Sequence, residues 1–193
     1  MKSLIIDTST NLMYIGLVDK YNLVDTKIRI SRRDISKYLV NDIKELLDQN
    51  NTNLNDIKKI VVGRGPGSYT GLRVAGVVAK TICYTKKIDL YEISSLFLLT
   101  SGYENVISMI DARNNLVFGA IFHGSITKIE DGHFIKDDLL EKRIDEEIIL
   151  INETNYKIDA KKVLNNAKKV DNHFDYTPNY VNKTEAERNN ENK

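Results

Sequence analysis

The chain has 193 residues with 28 Lys+Arg, 27 Asp+Glu and a formal net charge of +1, a balance that argues against a protein built mainly to neutralise nucleic-acid phosphates. Hydrophobic residues make up 41% and charged residues 28%, ordinary for a soluble fold, and no segment reaches the roughly 18–20 apolar residues of a membrane helix. The lone Cys83 excludes an internal disulfide and a Cys-based zinc site, and the expected compartment is reducing and cytoplasmic. In chain order, Leu4-Ile5-Ile6 is a short β-type run ending on the turn formers Asp7-Thr8-Ser9-Thr10. Met13 to Val18 and Asn22 to Ile30 complete a three-stranded meander. Ile35, Leu39, Ile43, Leu46 and Leu47 fall at helical spacing, with Asp34 or Ser36 as cap. Gln49 to Asn55 is an Asn-rich connection. Ile57 to Gly63 is a strand covered on both faces, and a glycine-rich turn leads into a helix over Tyr69 to Tyr84. Ile88 to Ile93 is the next strand, so the order is β-β-β-α-β-α-β.

The second part repeats this order in shorter form. A short helix around Ser95 to Gly102 precedes a strand, Val106 to Ile110, that ends on Asp111-Ala112-Arg113-Asn114. Strands follow at Leu116 to Phe122 and Ile126 to Ile129, a short helix at Asp137 to Arg143, a strand at Ile148 to Ile151 and a helix at Ile158 to Ala167. Residues 6–14 and 110–118 align without gaps, sharing Ile, Asp, Asn and Leu, which marks a degenerate internal repeat. The expected division is 1–94, 95–183 and a polar tail, 184–193, that frays.

Gly63-Arg64-Gly65-Pro66-Gly67-Ser68-Tyr69-Thr70-Gly71-Leu72-Arg73 is the most unusual stretch. Its glycines lie between a buried strand and a helix, where backbone N–H groups can face an anion. It lacks the Lys of a P-loop and does not fit G-x-G-x-x-G or the Gly-x-Ser-x-Gly elbow. Ser68 is placed to cap the following helix. On that helix Gly71, Ala75 and Ala79 form a stripe of small residues, with Gly76 nearby, and Val74, Val77, Val78 and Ile82 supply apolar surface around it. The stripe calls for a close neighbour, either the Ile35–Leu47 helix or a partner subunit. Lys161, Lys162, Lys168 and Lys169 form either a local basic strip or a solvated helix face.

These residues resemble the bacterial TsaB (YeaZ) family, the small subunit of the threonylcarbamoyladenosine-forming tRNA modification machinery. Residues 64–73 are similar to its R-G-P-G-S-F-T-G-[LV]-R motif, with Tyr69 for Phe; Ile6-Asp7-Thr8-Ser9-Thr10 and Ile110-Asp111-Ala112-Arg113 match its I-D-T-S-T and I-D-A-R. Pro178-x-Tyr180 is similar to its P-x-Y-L-R, from which Val181 and Asn182 depart. A His before the first long helix is absent; Asp34-Ile35-Ser36 stands there. The resemblance implies an α/β, actin-like ATPase fold of two ribonuclease-H-like lobes, the second shortened. It also implies a glycoprotease-like family label, with no assembled nucleophile and base behind it here.

The implied role is a non-catalytic subunit. It pairs with a TsaD-like catalytic subunit as a heterodimer that transfers threonylcarbamoyl from its adenylate to the adenine 3′ of the anticodon in ANN-decoding tRNAs. A TsaE-like ATPase joins the pair, and tRNA is met only through the complex. By this resemblance the partner interface comprises Leu39, Ile43, Leu46, Gly71, Val74, Ala75, Val78, Ala79 and Ile82, and Ala75→Arg is expected to block pairing without unfolding the chain. No catalytic residue, metal or cofactor of its own is expected. ATP or ADP near the partner interface would call on Asp7, Ser68, Arg73 or Asp111. The alternatives from other classes are an active actin-like ATPase using Asp7 and Asp111, or a protein that self-associates as a homodimer through the same face.

Overall fold

The computed structural model describes residues 1–30 and 34–181; the expected tail, 184–193, and Asn182 lie outside them. Two sheets form the frame. The first has the order β10-β5-β4-β1-β2-β3, from β1 (Lys2–Asp7), β2 (Leu12–Asp19), β3 (Asn22–Ile30), β4 (Ile57–Gly63), β5 (Asp89–Ile93) and β10 (Lys168–Lys169). The second has the order β8-β7-β6-β9, from β6 (Asn105–Asp111), β7 (Leu116–His123), β8 (Ile126–Ile135) and β9 (Glu147–Leu150). In each, the first strand pairs antiparallel with the second and parallel with a strand that follows a helix: β1 with β2 and β4, β6 with β7 and β9. The repeat seen in the sequence is thus a repeat of topology.

The helices are α1 (Ile35–Gln49), α2 (Tyr69–Lys86), α3 (Ser95–Thr100), α4 (Lys136–Leu140) and α5 (Ala160–Asn166). Strand periodicity decides what each covers, because neighbouring side chains point to opposite faces. Leu4 and Ile6 of β1 join Leu39, Ile43, Leu46, Ala75 and Ala79 in a core beneath α1 and α2. Ile5, between them, points the other way, into a core shared with α3, α5 and the second sheet, including Val106, Ile110, Phe118 and Phe122. This shared core joins the two halves. The far face of the second sheet is covered by α4, whose Leu139 meets Ile107, Met109, Val117 and Ile121. One buried charge sits under α1: Asp42 is fully buried and takes a bidentate pair from Arg29 Nε and Nη2 of β3, each at 2.7 Å. That geometry satisfies both ions, the condition under which a buried pair is tolerated.

Two sequence expectations need correction. β8 does not end at Ile129; it continues to Ile135 along the sheet edge, with irregular register opposite Gly119 to Phe122. Turn-like composition around Gly132 is accommodated there by bulges rather than by a break. The lysine strip is also not one face. Lys162 lies on α5 and pairs with Glu104 at 2.9 Å, while Lys169 lies on β10 and pairs with Asp89 at 2.9 Å. The expected division at residue 94/95 falls between β5 and α3, yet β10 returns to the first sheet, pairing Lys168 with Glu92 and Lys169 with Tyr91.

Candidate functional site

The glycine-rich loop is held from three sides. Ser68 N–H donates to Ser9 O at 2.6 Å, Ser95 N–H to Gly65 O at 2.9 Å, and Asn179 N–H to Arg64 O at 2.6 Å. Gly65 has φ +105°, a conformation that side chains disfavour. A Cβ at Gly67 would lie 2.7 Å from Ser9 Cβ, so the loop after β1 and the loop after β4 touch backbone to backbone. Ser68 caps α2, its Oγ accepting from Gly71 N–H at 3.3 Å. At Gly71 a Cβ would overlap Thr8 O, and Thr8 Oγ1 donates to Gly71 O at 2.7 Å. The start of α2 is therefore packed against the first half's own turn through Ser68 and Gly71, while Ser68, Tyr69 and Thr70 remain exposed on its outer side.

Asp7 lies under this contact, fully buried. Its Oδ1 accepts from Ser9 N–H at 2.9 Å and Ser9 Oγ at 2.7 Å. Its Oδ2 lies where a Cβ of Gly63 would be and has no hydrogen-bond partner among the described residues. Burial pushes its pKa above the ordinary 3.8, an effect opposed by the Ser95 hydroxyl and by Ser9. A carboxyl so placed braces a turn and does not reach solvent. Asp111, its counterpart, is exposed and accepts only from Arg113 N–H, at 3.0 Å, among the hydrogen bonds of the described residues. Arg73 stands on the outer surface of α2, donating to Tyr69 Oη at 3.3 Å. Asp7, Ser68, Arg73 and Asp111 share no hydrogen bond; Ser68 and Arg73 lie on the surface of α2's first turns, Asp7 beneath them.

The expected partner face divides in two. Leu39, Ile43, Leu46, Gly71, Ala75 and Ala79 are buried in the chain's own fold, while Val74, Val78 and Ile82 are half-buried at the surface. The small stripe is explained internally: Ala75 and Ala79 pack in the core with α1, and Gly71 meets Thr8. Arg at position 75 would bury an unpaired charge, so Ala75→Arg is expected to destabilise the fold and would not isolate pairing. Among the side chains that α1 and α2 turn outward are Val40 and Val77, each 59% exposed, together with Tyr38, Tyr69 and Tyr84. The end of the chain supplies a contact that sequence reasoning missed. Tyr176 is buried against α2, where a Cβ at Gly76 would lie 2.6 Å from its ring, and Tyr180 stacks on Tyr69 at 4.7 Å. Gly76 and the Pro178-x-Tyr180 motif were the available signals, on either side of this contact.

One group among the described residues has the composition of a metal site: His123, Asp145 and Glu146. Its buried member is already satisfied. Glu146 Oε1 lies 2.6 Å from His123 Nε2, and Oε2 accepts from Ile144 N–H at 2.7 Å and Asp145 N–H at 3.2 Å. The His123 hydrogen bond, ahead of those backbone groups, pulls the Glu146 pKa from 4.5 to about 2. No helix among the described residues is long and apolar enough to cross a membrane.

Comparison with known proteins fits this architecture. A model of the family described as TsaD, tRNA N6-adenosine threonylcarbamoyltransferase, matches residues 28–146, more than half of the chain. The TsaB tRNA threonylcarbamoyladenosine biosynthesis proteins of Bacillus subtilis and Haemophilus influenzae are both 32% identical to it, over 126 and 122 residues. The matches cover 63% and 60% of this chain but 55% and 51% of those relatives, so the chain spans about half their length. The Escherichia coli TsaB is 25% identical over 158 residues, 75% of this chain and 66% of that protein. YeaZ from Pseudomonas aeruginosa superposes with a TM-score of 0.72 over 93% of this chain and 99% of that one, at 19% identity, which establishes a shared fold. The long match to the family model, the TsaB relatives and the two-sheet, actin-like architecture agree: the chain belongs to the tRNA N6-adenosine threonylcarbamoyltransferase family, in its TsaB (YeaZ) branch.

Proposed function

We propose that the chain is a non-catalytic subunit of a threonylcarbamoyladenosine-forming complex. In this reading it pairs with a TsaD-like catalytic subunit that transfers threonylcarbamoyl from its adenylate to the adenine 3′ of the anticodon in ANN-decoding tRNAs. The observation that carries the reading is the apolar side chains that α1 and α2 leave outward: Val40 on α1, and on α2 Val77 in solvent with Val74, Val78 and Ile82 half-buried. Isolated exposed apolar residues are common; several on two adjacent helices suit a helical partner face. The sealed Asp7 supports the non-catalytic half of the reading, because catalytic use of a carboxylate requires contact with a ligand. The same reading implies a cytoplasmic complex, a TsaE-like ATPase as third member, and tRNA contact through the complex. ATP or ADP at the boundary would meet Ser68 and Arg73, and titration of the pair with either nucleotide tests this against the Ser68→Ala, Arg73→Ala variant.

Pairing is tested by size-exclusion chromatography with light scattering, on the chain mixed with the TsaD-like protein of the same organism. A stoichiometric complex is expected for wild type and its loss for Val77→Arg, which adds charge at an exposed position and leaves the core untouched. Separate elution of wild type and partner at micromolar concentration overturns the reading. The homodimer competes for the same surface, and a dilution series of the chain alone reveals it.

A further inference from the structure

A cleft lies where the two halves meet, away from the surface of α1 and α2. It has a volume of about 190 Å³ and is walled by the end of β5, the first residue of the glycine-rich motif, the bulged part of β8, and β10. Its size is below the roughly 300–1,000 Å³ of sites for drug-sized ligands, which suits a molecule of a few heavy atoms. Phe97 and Phe122 contribute apolar wall, their rings edge to face at 5.2 Å.

The charges around it are of both signs. Arg64 is held to Glu92 by a single 3.3 Å contact, so most of its five N–H donors stay available. Lys168 lies across the strand pair from Glu92. On the opposite wall, β7 and β8 are in register at Gly119 with Gly132 and at Ile121 with Ile129. Two residues, Glu130 and Asp131, therefore oppose Ala120 alone. Such a bulge re-aims side chains out of the sheet's alternation, and bulges concentrate beside functional sites. Here it delivers both carboxylates to the cleft. Asp131 is fixed by Ser94 Oγ, which donates to Oδ1 at 2.7 Å across the junction of the halves. Burial raises the Asp131 pKa, opposed by Ser94 and by Arg64 and reinforced by Glu130; a bound cation would relieve that burden.

An anion alone would face Glu92, Glu130 and Asp131; a cation alone would face Arg64 and Lys168. A small ligand carrying both charges answers both walls. From the bulge, the cleft and the opposed charges, we infer that this cleft binds a small zwitterion, a free α-amino acid, its ammonium on Asp131 and Glu130 and its carboxylate on Arg64 and Lys168. This site is independent of the pairing surface, and its failure would leave the proposed function untouched.

The test is a ¹H–¹⁵N titration of the full chain with glycine, L-serine, methylammonium chloride and sodium acetate. The expected result is saturable shifts at the Ser94, Thr127 and Asp131 amides with the amino acids, with a Kd of about 0.1–1 mM. Methylammonium and acetate are expected to bind at least about tenfold more weakly, as are the amino acids to Asp131→Asn or Arg64→Ala, since each removes a charged partner. The dispersion of the same spectra reports whether each variant is folded, and Asp131→Asn decides alone if Arg64→Ala is not. Absence of saturable shifts at these amides overturns the inference, as does unchanged binding to a folded variant. Equal binding of methylammonium or acetate overturns the zwitterion assignment.

Discussion

The turn after β1 and the turn after β6 begin alike and end differently. In both, an aspartate closes the strand and accepts from the N–H two residues on, Ser9 to Asp7 at 2.9 Å and Arg113 to Asp111 at 3.0 Å. Asp7 is nevertheless fully buried and Asp111 exposed. The difference lies in the neighbours. Beside β1 runs β4, whose last residue is Gly63, and β4 is itself flanked by β5. Beside β6 runs β9, which stops at Leu150 and is the edge of its sheet. A repeated motif therefore carries its backbone geometry from one half to the other, while the layer beyond it decides what the side chain does. A second contrast sharpens this. Two of the buried carboxylates shift in opposite directions: burial raises Asp7, which keeps an unpartnered oxygen, whereas three hydrogen bonds draw Glu146 down to about 2.

The largest effect is expected where Asp7 meets its neighbour strand. Gly63→Ala forces a Cβ into Asp7 Oδ2 and to 2.7 Å from Ser95 Oγ, and should destabilise by about 3 kcal/mol in urea unfolding. Combined with Asp7→Ala, the same substitution should lose at least about 1 kcal/mol of its effect, the coupling expected of residues in contact. Purely additive behaviour would show that the glycine serves the loop and not the carboxyl.

Glu146→Ala comes next, at about 2 kcal/mol, the worth of hydrogen bonds to a charged group. Because the folded Glu146 pKa is depressed below its ordinary 4.5 to about 2, its contribution is complete above about pH 4.5 and disappears as pH falls through 2. Wild type should therefore lose stability across that acid window and converge on Glu146→Ala. Parallel curves for the two proteins would remove this carboxylate from the acid response.

Asp7 runs the opposite way. Its raised pKa makes the protonated form the better fit to the folded state. Its contribution is thus greatest below 3.8 and declines as pH rises through the folded value. Asp7→Asn keeps an acceptor for Ser9 and cannot ionise. It should equal or exceed wild type at pH 8, with the gap closing toward acid. A variant less stable than wild type at pH 8 would mean that the ionised carboxylate itself is needed, and would reopen a role for it.

Much of this frame was legible in advance because it rests on local rules. The period of Ile35, Leu39, Ile43 and Leu46 defines α1, Ser68 caps α2, and the paired Ile-Asp stretches disclose the repeated topology. The site was less legible because burial is set by contacts distant in sequence. Ala75 and Ala79 look alike as a partner stripe or as a core seam until α1 is laid on them. Gly76 signals a close neighbour without saying that it is Tyr176, a hundred residues later, and nothing in Glu130-Asp131 announces that both oppose Ala120.

The smallest effect is expected at the position where a functional reading would ask for the largest. Asp111→Ala removes one hydrogen bond from an exposed turn, and substitutions of that kind usually stay within about 0.5 kcal/mol. The turn itself is held by backbone: Ala112 N–H donates to Leu116 O and Leu116 N–H to Arg113 O, each at 2.9 Å. Arg113, Asn114 and Asn115 all have positive φ, between 52° and 70°. Chemical unfolding of Asp111→Ala should superimpose on wild type, and pairing with the TsaD-like subunit should persist. If pairing fails while the fold is unchanged, the exposed turn of the second half contacts the partner, and the repeat has kept at Asp111 the outward role that packing took away from Asp7.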